Sequence, residues 1–176
     1  MVDPRRALAT CLLALVALSV VFPAATAKAE DSPVPQPVLS WPLADTRVVN
    51  AAALPPLPWL PGHRGIDVVA VPGQAVLAPG PGRVAFVGTV AGRDVVTIAL
   101  DVGVTATLEP VTGSVTEGTR LARGEPVGVV TQTAGHCAPQ TCVHWGVKFG
   151  QRYLDPLDWL EGFGPIVLLP LAHQVN

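Results

Sequence analysis

Gly62-His63-Arg64-Gly65-Ile66-Asp67-Val68-Val69-Ala70, taken with Cys142-Val143-His144-Trp145-Gly146-Val147, carries the reading of this chain. Each stretch sets polar side chains into an apolar run of strand-like composition. In an extended chain alternate side chains share a face, so His63 and Asp67, four positions apart, are expected on one side of a strand. His144 lies among Val143, Trp145 and Val147, which read as a second strand, and is the best third partner. Two imidazoles and a carboxylate are the ligand set of an open zinc site, in which three protein groups leave a fourth position for water. The reading therefore expects residues about eighty positions apart to converge on one metal ion.

Outward from these stretches the chain is punctuated by 17 glycines and 19 prolines. Runs at 66–71, 75–78, 82–90, 93–100, 104–108, 127–131 and 143–149 are rich in Val, Ile, Thr or Leu and end at turn residues such as Pro72-Gly73 and Ala91-Gly92. Residues 47–53 give an earlier run, and Leu54-Pro55-Pro56-Leu57-Pro58-Trp59-Leu60-Pro61 cannot be a central strand and leads as a loop into His63. A valine-turn-glycine figure recurs over 115–128, as in strands that reverse tightly. No window carries a helical stripe, apart from one turn at 156–160. The expectation is an all-β, compact antiparallel domain of sandwich or barrel-like form.

The N-terminus sets Arg5 and Arg6 before the apolar run 7–21, followed by Ala24-Ala25-Thr26-Ala27. That is the form of a cleaved signal peptide, ending after Ala27 or Ala29, and the run is shorter than the ~20 residues of a membrane span. The organisation expected is signal peptide 1–27, linker 28–37, β domain 38–162 and an extended tail 163–176. Loss of the leader leaves 9 basic against 12 acidic residues and no basic patch. Nucleic acid and anionic lipid are therefore not expected as partners, and no stable membrane span is expected after cleavage. In an exported chain the remaining cysteines, Cys137 and Cys142, are expected to form a disulfide. A free Cys142 thiolate as a fourth zinc ligand is the chemical alternative, and it would close the site.

His63-Arg64-Gly65-Ile66-Asp67 resembles the H-x-x-x-D motif of the lysostaphin/LytM-type zinc metallopeptidases, and Cys142-Val143-His144-Trp145 resembles that family's H-x-H strand with its first histidine replaced. The resemblance runs from about Trp41 to Leu160 and includes the Tyr153-Leu154-Asp155-Pro156-Leu157 ending. It implies an antiparallel β fold with a substrate groove, zinc held by His63, Asp67 and His144, and hydrolysis of peptides in cell-wall peptidoglycan by a secreted, envelope-located enzyme. It also implies two assisting histidines. One position is Cys142 here, and the stretch expected to hold the other reads Thr105-Ala106-Thr107-Leu108-Glu109-Pro110.

Two residues are substitutes for that assistance. His136 adjoins Cys137, so the disulfide would hold it beside the metal strand; a solvent-exposed loop histidine is the competing reading. Glu109 is a carboxylate able to act as general base, or a solvated residue before Pro110. Loss of both assisting histidines opens a second functional class, a catalytically degenerate domain that binds peptidoglycan or regulates a partner wall hydrolase. A biotin- or lipoyl-carrier-like domain fits poorly, because beyond the leader the lysines are Lys28 and Lys148 alone, in a linker and a strand.

Overall fold

The computed structural model describes residues 38–131 and 136–162. The expected leader (1–27), linker (28–37) and tail (163–176, with His173) lie outside the described residues. Among the described residues the chain forms β1 (Val48–Asn50), β2 (Ile66–Val69), β3 (Ala75–Leu77), β4 (Gly82–Val90), β5 (Arg93–Leu100) and β6 (Thr105–Glu109). It continues through β7 (Val111–Gly113), β8 (Arg120–Leu121), β9 (Pro126–Val130), β10 (Cys142–Phe149) and β11 (Arg152–Leu154). A single 3-10 turn, Pro156–Trp159, follows, with the Asp155 carboxylate accepting from the Leu157 amide. The expected all-β class and the helical turn near 156–160 both hold.

The strands form two antiparallel sheets. Seven strands run in the order β1-β2-β10-β6-β5-β4-β8, with β11 pairing the C-terminal half of β10, and a separate three-stranded sheet runs β3-β9-β7. The large sheet stays open, with β1 and β8 as its ends. It does not close into a barrel.

One face of this sheet is the core. In β5, Val96 and Ile98 are fully buried, and in β10 so are Val143, Trp145 and Val147. Register places Trp145 between Ile66 of β2 and Leu108 of β6, and both of these are also fully buried. Val76, Val111, Val127 and Val130 of the small sheet belong to the same apolar cluster, together with Leu39, Trp159 and Leu160 at the ends of the domain. Each large aliphatic side chain removed from water contributes roughly 1.5–3 kcal/mol. The alternation that sends the odd-numbered residues of β10 inward sends Cys142, His144 and Gly146 to the other face.

Candidate metal centre

The opposite face of the same three strands carries the polar cluster. His144 lies directly across from Asp67 of β2 on one side and from Glu109 of β6 on the other. One row across the sheet therefore aligns an acid, an imidazole and an acid.

His63 reaches this row by a route the alternation argument did not foresee. It lies outside β2, which starts at Ile66, and is fixed instead by a two-way backbone bridge with Ala53. The turn between His63 and β2 presses against β10. A Cβ at Gly65 would overlap the Trp145 carbonyl oxygen, so glycine is what lets the loop close onto the strand.

The ring atoms then meet. His63 Nε2 lies 3.1 Å from Asp67 Oδ1 and 3.0 Å from His144 Nδ1, and His144 Nδ1 lies 2.9 Å from the same carboxylate oxygen. His136 Nε2 adds a fourth group at 2.8 Å from Asp67 Oδ1. Ligand atoms of all four residues lie within 4.8 Å of one another.

Proton counting shows what such a cluster can hold. A neutral imidazole has one N–H. In His63 that proton belongs on Nδ1, which donates to the Ala51 carbonyl at 2.7 Å. Nε2 is left with a lone pair aimed at the Asp67 carboxylate. Two lone-pair bearers at about 3 Å repel one another unless a cation stands between them. Donors about 2.0–2.1 Å from a tetrahedral zinc are roughly 3.3 Å apart, close to the separations among His63, Asp67 and His144. The residues fit a zinc ion, and the Ala51 contact is the kind of outer bond that would fix the tautomer of His63 as a ligand.

Asp67 is the pivot, 1% exposed. Burial opposes its ionisation, yet hydrogen bonds from His144, Asn50 and His136, with the charge of His136, hold its carboxyl well below the usual carboxylate range. The Asn50 amide donates to Asp67 Oδ2 at 2.7 Å, which leaves Oδ1 for the histidines.

His136 is 44% exposed on its side chain and touches both solvent and the cluster. Its neighbour Cys137 is joined to Cys142 by a disulfide. The two sulfurs lie near Asp67 and His136, but in the bonded form they offer no thiolate, so the closed Cys142-ligated alternative is not what this structure holds. Glu109 shares the face of His144, but its Oε2 lies 3.3 Å from Arg93 Nε and its carboxylate does not join the four-residue group. Trp145 is core and Arg64 turns away, its guanidinium donating to the carbonyls of Pro58 and Leu60. Asn50 and the Ala51 carbonyl were missed from sequence. A lone asparagine in a β run and a backbone oxygen carry no distinguishing signal.

Residues 61–156 match the model of peptidase family M23, and the chain belongs to that family. It is 38% identical over 161 residues to an uncharacterised protein of Mycobacterium tuberculosis (strain H37Rv), which covers 86% of this chain and 60% of that relative. The chain thus spans about 60% of the length of the curated relatives it matches.

Among solved structures, Helicobacter pylori Csd3 is 24% identical, covers 71% of this chain and 35% of its own, and superposes with a TM-score of 0.59. A zinc containing peptidase from Vibrio cholerae gives 19%, 68%, 39% and 0.56 for the same quantities. The catalytic domain of the antimicrobial peptidase lysostaphin from Staphylococcus simulans gives 18%, 65%, 92% and 0.55. These three share the fold.

Proposed function

We propose that the chain is a secreted zinc metalloendopeptidase that hydrolyses peptide bonds in bacterial cell-wall peptidoglycan. The observation that carries the reading is the lone pair of His63 Nε2, held by the Nδ1 bond to Ala51 and aimed with His144 at one carboxylate oxygen. In this reading His63, Asp67 and His144 hold the zinc. The leader 1–27 is removed on export, and the working unit is 38–162, between the linker 28–37 and the tail 163–176. No helix among the described residues is long and apolar enough to cross a membrane.

Zinc held by these residues would supply Lewis acidity, polarising the scissile carbonyl and making water a better nucleophile near neutral pH. The chain's own groups do the rest. Ala51 and Asn50 orient His63 and Asp67 before substrate arrives. His136, at the solvent side of the cluster with Nε2 bonded to Asp67 Oδ1, takes a proton from the attacking water on its other ring nitrogen and returns it to the leaving amine. Such help typically contributes 10²–10⁴-fold.

Turnover of purified peptidoglycan by the zinc-loaded protein tests the reading beside His144→Ala, with zinc content measured on both. Loss of zinc and of turnover in the variant is the expected result. A second reading, a degenerate domain of the same fold that binds peptidoglycan or regulates another wall hydrolase, is favoured by one observation. Cys142 stands where the resemblance places an assisting histidine, and its sulfur is spent in the disulfide. Tight wall binding with no turnover by the zinc-loaded protein, across several wall chemistries, would select that reading.

A further inference from the structure

Beside the cluster lies an open groove of about 810 Å³ that reaches from Asn50 and His136 past the disulfide to Arg47, Val49 and Val71. Two features set it apart. Its apolar side chains are exposed, Val49 at 42% and Val71 at 61%, the latter the most exposed valine among the described residues. Its one charged group besides the site histidine is the Arg47 guanidinium, and no acidic residue lines it. Among the described residues no carboxylate pairs with that guanidinium, whereas Arg93, Arg120 and Arg123 each have an acidic partner.

Arg47 and Val49 both line the groove from the extended chain leading into and along β1, whose pairing with β2 is irregular between Val48 and Asn50. β1 is an end strand of the large sheet, and β2 is its pairing partner on the inner side. A segment laid along β1 would meet a cation, then an apolar patch, then the cluster at Asn50 and His136.

We propose that this groove is the specificity-determining subsite for an extended peptide with a free carboxylate, which the Arg47 guanidinium grips while Val49 and Val71 contact its aliphatic part. The assignment rests on the peptidase reading for what happens next to the bound peptide, but not for binding itself. Arginine suits the task because its planar fork matches a carboxylate with two parallel N–H donors. The guanidinium is exposed, so its grip is screened by salt.

The test uses a wall-derived stem peptide with free carboxylates and a twin with every carboxylate converted to carboxamide. Zinc-loaded wild type, Arg47→Gln and Arg47→Lys are compared, reading KM where turnover occurs and Kd by fluorescence anisotropy where it does not. Wild type is expected to prefer the free acid by about 2–5-fold, less as salt rises. Arg47→Gln should lose the preference with kcat unchanged, and Arg47→Lys should keep part of it. Equal affinity for the twins, undiminished preference in Arg47→Gln, or no binding of either peptide overturns the assignment. Preference without turnover leaves the groove assigned and removes the peptidase reading, so the two failures are distinct.

Discussion

The two faces of β10 are built from one eight-residue strand and obey different rules. Val143, Trp145 and Val147 face inward and are wholly buried among side chains from both sheets. Cys142 and His144 face the other way, and each is completed from outside the strand: Cys142 by Cys137 five residues earlier, His144 by the distant Asp67 and His63. The inner face is defined by how much apolar surface it removes from water. The outer face is defined by where four polar atoms stand to within a few tenths of an ångström. Stability and chemistry are therefore separable on a single strand, and substitutions can pull them apart.

The largest effect is expected on the inner face. Trp145→Ala should lower the free energy of unfolding by about 3–5 kcal/mol, read from urea denaturation, since the ring also packs at a tilt against Trp41, centroids 6.2 Å apart. A loss below about 1 kcal/mol would mean the inner face does not hold the sheet together. On the outer face His136→Ala should cut peptidoglycan turnover by about 10²–10⁴-fold. Zinc content and the urea midpoint should stay near wild type, because the side chain is half exposed. Zinc lost along with turnover would make His136 a ligand rather than a proton carrier.

Asn50→Ala comes next. Removing an outer hydrogen bond to a ligating carboxylate should weaken zinc affinity by about 10–100-fold, measured by competition with a chromogenic chelator. Unchanged affinity would leave Asn50 without a part in the site. The smallest effect is expected from Arg93→Ala, which breaks the partly exposed pair with Glu109 and should change stability by about 0–1 kcal/mol. A large fall in turnover in Glu109→Gln would assign that carboxylate a chemical role its pairing with Arg93 does not indicate.

Strand composition made the β class and most strand positions legible, because valine-rich runs cut by glycine and proline have few other fates. It could not say that β3, β7 and β9 form their own sheet. A valine-turn-glycine figure fixes where the chain reverses, not which neighbour it pairs with. The meeting of His63, Asp67 and His144 was legible because an H-x-x-x-D pair and a histidine in a second apolar run are residue types that a metal would select. The route to them was misjudged: His63 was expected in the same strand as Asp67, yet a bridge to Ala53 and the close approach at Gly65 bring it in. Those are tertiary contacts, and no local pattern encodes them. His136 was legible only through its neighbour Cys137, since a covalent link between cysteines constrains whatever sits next to it.

That link ties the cluster to its surroundings. Residue 142 contributes no proton and no ligand, yet through Cys137 it anchors the one of the cluster's three histidines that comes from outside the ladder or its bridge. Where thiols are kept reduced that link would be open and the third imidazole, His136, released from it; where thiols oxidise the link holds His136 beside the others. On the proposed reading, the proton carrier would be in place only where the surroundings let that sulfur pair form.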